Sequence, residues 1–221
     1  MSTIITDVID HLADIQPGSS LDRLRDQRPQ ARENAQKSYL ALFEPEVSGN
    51  VTALERFAIA TFVAGLHHQP HVTAFYAGSL ETIGHPRLTE VINAEIARGS
   101  AEGPYGRYPN GPLTAEDKDG PVYRVSADNR ESLGSRLAAA LEHAHLLVFH
   151  PRDANPAALQ ALLDAGWSST DIVTLSQLVA FLSFQIRVVA GLRAIAGASA
   201  VETTDTEYTQ IFTGVLASGA V

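Results

Sequence analysis

An apolar segment that occurs twice limits the fold of this chain more than any other sequence feature. The first copy, LERFAIATFVAGLHHQPHVTAFYAGSL, spans 54–80, and the second follows at a constant offset of 116 residues, within 171–195. Apolar residues recur at helical spacing in both copies, so the sequence predicts two related helical units. Six residue pairs are identical between them: Val63/Val179, Ala64/Ala180, Leu66/Leu182, Gln69/Gln185, Val72/Val188 and Ala74/Ala190.

The remaining segments also show helical spacing, and none shows the alternation of a convincing strand. We therefore predict an all-α helical bundle whose first helices wrap around the core. One compact domain is expected to contain four parts: N-terminal helices at 1–50, a first helical unit at 51–98, a loop rich in Gly, Pro and Tyr at 99–127, and a second helical unit with the C-terminal tail at 128–221.

The loop has two interpretations. It is either a linker between the two units or a long ordered segment that covers a pocket. Disordered linkers are poor in aromatic residues, so Tyr105, Tyr108 and Tyr123 favour the ordered alternative.

Composition excludes several functions. The formal net charge of −9 argues against nucleic acid as a partner, because phosphate binding needs a surface of Lys and Arg. The one basic cluster, Arg23, Arg25, Arg28 and Arg32, is interleaved with acids and is predicted to form a solvated helix face. The absence of cysteine excludes a disulfide, a thiolate metal site and a thiol nucleophile.

Two apolar segments bear on localisation. The N-terminal helix carries acids where a signal peptide would have a basic flank. The most apolar later run, 172–196, contains Gln177, Gln185, Arg187 and Arg193, which favours a buried helix over a membrane span. We expect a cytoplasmic protein that does not contact a membrane.

The first copy ends in a group of histidines. Thr52 and Glu55 have the spacing of a capping box that starts the helix, and Pro70 is predicted to end it near Gln69. Three histidines follow at that end: His67, His68 and His71. They are interpreted as an acid–base site, as polar residues at a helix end or, least favoured, as a metal site. Glu55 lies roughly 18 Å from His67 along the helix, so it reaches them only through chain reversal or another subunit.

Other polar residues offer further candidates. Two polar residues, Gln185 and Arg187, lie in an apolar helix and need partners there. Arg187 either forms a structural ion pair, for instance with Glu55, or binds an anion in a pocket. Tyr76 is a candidate for substrate contact or for the core. A second histidine group, His143, His145 and His150, is a weaker candidate, because 143 and 145 face different sides of a helix.

The segment NPAALQALLDAGWSSTDIVTLSQLVAFLSFQIRVVAGL, with its F-x-x-R element at Phe184 to Arg187, resembles the final helices of the alkylhydroperoxidase D-like (AhpD-like), or carboxymuconolactone decarboxylase, superfamily. The first copy, which opens with Glu55-Arg56, is similar to the helix that carries the active site there. The resemblance covers 52–80 and 155–195 and implies an AhpD-like bundle.

This sequence departs from the peroxidase members of that superfamily. They carry Cys-x-x-Cys followed by His, whereas 66–71 here reads LHHQPH, so thiol peroxidase chemistry is not expected. The resemblance then implies an enzyme that uses Glu55, His67, His68 or His71 as acid or base on a small organic acid, without a cofactor or metal. Arg187 and Tyr76 would bind the substrate.

The alternative is a catalytically inactive structural or assembly subunit related to antioxidant peroxidases. Members of this superfamily are usually oligomers, so the resemblance implies a homo-oligomer or pairing with a thiol-bearing relative. The apolar tail at 211–221 would suit such docking.

Overall fold

The structure, a computed structural model, describes the backbone of residues 5–47, 49–83 and 86–217, and the side chains of 5–47, 49–83 and 87–198. The all-α prediction is confirmed, because these residues form nine α-helices and no strand apart from one isolated bridge. The helices are α1 Val8–Ala13, α2 Ser20–Asp26, α3 Pro29–Phe43, α4 Ala53–Leu66, α5 Pro70–Thr82, α6 Pro86–Gly99, α7 Ala127–Phe149, α8 Pro156–Asp164 and α9 Ser169–Ala217. The side chains of the predicted docking tail, 211–221, lie outside the described residues.

Helix α4 lies at the centre of the bundle and packs against α3, α5, α6, α7 and α9. Every residue from Ala58 to Ala64 is buried, so no face of this stretch meets solvent. The single hydroxyl within it, on Thr61, donates to the Phe57 carbonyl at 2.8 Å and therefore carries no unpaired donor into the core. A helix that is apolar all round needs neighbours on all sides, and the other helices supply them.

Both predicted ends of α4 are confirmed. The Thr52 hydroxyl accepts from the Glu55 amide at 3.2 Å, and the Glu55 carboxylate accepts from the Thr52 amide at 2.8 Å, which completes the capping box. At the other end α4 stops at Leu66, and Pro70 starts α5. Between them His68 adopts a left-handed conformation with φ +54°, which turns the chain from one helix into the next.

Helix α9 starts in the same way as α4. The Ser168 hydroxyl accepts from the Asp171 amide at 3.2 Å, and the Asp171 carboxylate accepts from the Ser168 amide at 3.2 Å. Ser168 and Asp171 follow Thr52 and Glu55 by the same 116 residues that separate the two apolar copies. The sequence repeat therefore includes the helix-starting motif.

Contacts at both ends show that α4 and α9 run parallel and in register. Near their N-termini, the Arg136 guanidinium on α7 contacts both Glu55 and Asp171. Twelve residues further along each helix, His67 Nε2 lies 3.3 Å from Ser183 Oγ. Each contact joins positions 116 residues apart, so the two copies pack against each other as one pair.

The segment between α6 and α7 is ordered and packed on the bundle. Glu95 of α6 is fully buried and accepts from the Tyr123 hydroxyl at 2.6 Å, from Asn129 Nδ2 at 2.7 Å and from Ser126 Oγ at 2.9 Å. The Tyr105 amide donates to the Phe149 carbonyl at 2.6 Å. These contacts hold the segment against α6 and α7 at Tyr105, Tyr123 and Ser126.

The basic cluster differs from its prediction as a solvated face. Arg25 is only 9% exposed and pairs with Asp7 and Asp10, and Arg32 contacts the same two carboxylates. The prediction was wrong for Arg25, because its partners lie on the preceding segment, which folds back onto it. Arg32 is only half-buried and also pairs with the interleaved acids Asp22 and Asp26. Burial raises the pKa of Asp7, but hydrogen bonds from the Asp10 amide and Arg25 outweigh it and leave that pKa below its usual value.

One described segment, Ser169–Ala198 of α9, is long and apolar enough to cross a membrane by length and composition alone, with a mean hydropathy of 1.7. A core helix of a soluble protein meets the same criterion. In this chain the helix packs against α1, α3, α4, α7 and α8.

Candidate functional site

Glu55, the predicted catalytic acid, is held in a polar network at the N-terminal ends of α4 and α9. One carboxylate oxygen accepts from Thr52, and the other accepts from Arg136 Nε at 2.7 Å. Arg136 also donates to the Gly166 carbonyl at 2.5 Å and stacks over the Trp167 ring, 4.1 Å from its centroid. Glu55 is 7% exposed and fully engaged, so the arrangement is that of a structural anchor.

Asp171 completes this network from the second copy. Burial raises its pKa, but hydrogen bonds from Ser168 and the nearby Arg136 charge outweigh burial and hold the pKa below its usual value. One arginine therefore neutralises two carboxylates that occupy equivalent positions in the two copies. We call Glu55, Arg136 and Asp171 the arginine bridge.

His67 lies at the opposite end of α4, beside α9. Its Nε2 contacts Ser183 Oγ, and burial, followed by the nearby charges of Arg187 and His68, lowers the pKa of His67 to about 4. It is therefore neutral at physiological pH and able to accept a proton. The ion pair considered between Arg187 and Glu55 does not form: Arg187 donates to the Ser183 carbonyl at 2.9 Å, and Glu55 bonds to Arg136.

The other predicted site residues do not gather around His67 in a shared pocket. His68 and His71 are exposed. Tyr76 is fully buried and donates from its hydroxyl to Gln185 Oε1 at 2.5 Å, a contact between the two copies within the core. The structure thus brings together His67, Ser183 and Arg187, of which the first two are half-buried and Arg187 is exposed. Glu55 and Tyr76 lie inside the fold, away from this cluster.

A cavity of about 370 Å³ lies elsewhere, between α7, α8 and the end of the ordered loop. This volume is in the range of small-molecule sites. One wall is a face of α7 that includes Glu142, His143 and Leu146; Ala158 of α8 stands opposite, and Tyr123 of the loop closes a side. Of the loop, only the three residues Val122, Tyr123 and Arg124 line this cavity.

Two histidines in the cavity wall are fixed by hydrogen bonds. His150 Nδ1 contacts Asp153 Oδ2 at 2.9 Å, and its Nε2 contacts the Pro121 carbonyl at 3.0 Å. Both partners are acceptors, so either ring nitrogen of His150 can donate, and the tautomer decides which one does.

His145 is held by its surroundings. Its Nε2 donates to the Gly99 carbonyl at 3.0 Å, and its ring stacks on Tyr123 at 4.7 Å between centroids. Burial is the largest influence on this ring and lowers the pKa of His145 to about 4, although the bond to Gly99 opposes the shift. His145 is therefore a neutral part of the wall.

His143 is the exception among the three. It is 6% exposed and lines the cavity, and its Nδ1 is buried without a hydrogen-bond partner among the described residues. Burial alone lowers its pKa, so the ring is neutral. Buried polar groups in native proteins are nearly always paired, so this unpaired atom is an exception. The Nδ1 atom is closed off from solvent, so a ligand in the cavity would contact the rest of the His143 ring and not Nδ1.

The sequence carried a signal for this site that our interpretation missed. We compared His143 with His145, which are two residues apart, but His143 and His150 are seven apart, close to two helical turns, and so share a face. Asp153 follows His150 by three residues. The cavity itself was not predictable from this spacing, because α8 and the loop form its other walls.

Comparison with family models, curated proteins and solved structures gives no match for this chain. Among the described side chains, no group of three or more His, Asp or Glu residues could hold a metal ion. The site is therefore interpreted from its own geometry.

Proposed function

We propose that this chain is a cysteine-free relative of the AhpD-like superfamily and transfers protons on a small molecule held in the α7–α8 cavity. The paired starts of α4 and α9 and their in-register packing support the family relation. The single observation that carries the function is His143, a neutral imidazole in the wall of a half-open cavity, whose Nδ1 has no hydrogen-bond partner among the described residues.

His143 would act as the general acid–base group, and His150 with Asp153 would position the neighbouring wall. A neutral imidazole takes a proton from a carbon acid and returns it, so a C–H bond breaks as an N–H bond forms, and no cofactor is required. The His67–Ser183–Arg187 cluster is a second place for such chemistry in this relative. In this cluster His67 and Ser183 are half-buried, but Arg187 is exposed to solvent, which weakens its electrostatic effect.

Proton exchange in D₂O tests this function with a panel of simple carbon acids in place of the natural substrate. Small cyclic ketones and lactones are incubated with the protein, and deuterium incorporation beside the carbonyl is followed by NMR. We expect exchange with the natural chain, loss of at least about tenfold in His143→Ala, and no change in the exposed control His71→Ala. Loss in His67→Ala with retention in His143→Ala would move the chemistry to the other cluster.

A second candidate function, a subunit that assembles without catalysis, is favoured by apolar residues on α9. Val173, Phe184 and Ile195 are 56%, 46% and 47% exposed. We expect Phe184→Asp to lower the mass of a homo-oligomer in light scattering, with Arg107→Asp as a control on another surface. An unchanged mass would show that this face of α9 does not mediate assembly.

A further inference from the structure

The cavity's polar groups also indicate the class of ligand it takes. We infer that it binds a neutral aromatic molecule with a hydroxyl group, rather than an organic acid. The inference rests on the proposed site and adds the ligand's charge, shape and hydrogen-bonding group.

The charge of the wall disfavours an anion. Two carboxylates, Glu142 and Asp153, line the cavity, and the one Lys or Arg side chain in its wall among the described residues, Arg124, is exposed and contacts Glu142 at 3.5 Å. His150 is held by Asp153, and the pKa of His143 is lowered by burial. A ligand carboxylate would thus enter a confined space beside two like charges without a free cation to meet it.

A cation is disfavoured as well, because both carboxylates already have donors. Glu142 accepts from the Val125 amide at 3.0 Å and from Arg130, in addition to Arg124. Asp153 accepts from His150 and from the Arg107 amide at 3.3 Å. A cationic ligand would have to displace these bonds to gain a partner.

The apolar part of the wall suits a flat ring. Four alanines, Ala139 of α7 and Ala157, Ala158 and Ala161 of α8, line the cavity, so much of this apolar wall carries small side chains. Aromatic rings of Tyr123 and His145 form another part of the wall and are already stacked on each other. An aromatic ligand can pack against both surfaces.

The free imidazole of His143 determines the polar group. A neutral imidazole offers one donor and one acceptor, and a hydroxyl is able to satisfy either. A phenolic hydroxyl therefore pairs with His143 in whichever tautomer is present, without transfer of a full charge into the cavity.

Matched probes test the inference. We would titrate the full chain at pH 7 with 2-naphthol, 2-naphthoate and 2-naphthylmethylamine, which share a ring but are neutral, anionic and cationic, and follow binding by calorimetry. We expect 2-naphthol to bind at least about tenfold more tightly than either charged probe. The variant His143→Leu should weaken 2-naphthol by about tenfold, whereas His71→Leu should not.

A cavity-filling change locates the binding independently of His143. Ala158→Leu should abolish 2-naphthol binding, and Leu163→Ala, on an exposed part of the same helix, should leave it unchanged. Equal or tighter binding of 2-naphthoate or of the amine would overturn the neutral class while leaving the proposed catalytic site intact. Absence of binding by all three probes overturns the aromatic class, and the proton-exchange assay then decides separately whether the cavity is catalytic.

Discussion

The arginine bridge and the α7–α8 cavity are both polar sites at the edge of the core, and they differ in how completely their hydrogen bonds are made. In the bridge, Arg136 donates to two carboxylates and two backbone carbonyls. In the cavity, His143 has a ring nitrogen with no partner among the described residues. Saturated polar networks fix a structure, whereas His143 lacks such a bond at Nδ1 and its ring borders a space that a small molecule can fill.

The largest effect is expected from removal of the saturated site. Arg136→Ala would leave Glu55 and Asp171, which are both buried, without their shared cation, and should lower the free energy of unfolding by about 3 kcal/mol. Urea denaturation followed by circular dichroism would measure it. Arg107→Ala is the control, because it breaks an exposed ion pair with Asp119 and should change the free energy of unfolding far less than Arg136→Ala does. Equal effects of the two variants would show that the bridge is not an anchor.

Acidification should produce the next largest loss of stability, and His145 in the cavity wall is its source. The pKa of His145 is about 4 in the folded protein and about 6.5 when unfolded, so its contribution to stability is fully present above pH 6.5 and is lost as pH falls through 4. The loss approaches about 3 kcal/mol for this group.

Urea midpoints at pH 7, 5.5 and 4 would test this. His145→Phe, which keeps a ring against Tyr123, should be less stable at pH 7 because the Gly99 carbonyl loses its donor, and it should lose less stability on acidification than the natural chain. A variant with the same dependence on pH as the natural chain would rule out His145 as a source.

The smallest effect on stability is expected from a substitution at His143. This substitution tests most directly whether the cavity differs from the arginine bridge. His143→Leu removes no hydrogen bond of the Nδ1 atom within the described part of the chain, so the free energy of unfolding should change by less than about 1 kcal/mol, in either direction. Thermal and urea unfolding would measure it alongside ligand binding. A loss of several kcal/mol would mean that His143 is a structural residue, as His145 and Glu55 are.

Local features of the fold were predictable from the sequence, and contacts between distant segments were not. The Thr52–Glu55 capping box and the break at Pro70 follow from a few adjacent residues, and both are confirmed. Arg136 looked like an ordinary helix residue, because its partner Glu55 lies 81 residues away. Nothing near either residue in the sequence indicates that pairing.

The candidate site shows the same limit. The closeness of His67, His68 and His71 in the sequence predicts a site at these residues. In the structure His68 and His71 are exposed, and His67 contacts Ser183. The α7 histidines were given less weight, although three separate segments enclose them. Whether a side chain is left without a partner depends on that enclosure, and a sequence pattern does not record it.

The contacts at the two ends of α4 and α9 also constrain how this protein can change length. The arginine bridge and the His67–Ser183 contact are separated by the same twelve residues on each helix. One residue inserted between them in either helix would rotate everything beyond it by about 100° and advance it by about 1.5 Å, so both contacts could not be made together. The two contacts therefore fix the number of residues between them in α4 and in α9. Insertions or deletions are tolerable in the connecting loops, but between these contacts only substitutions keep the two helices in register.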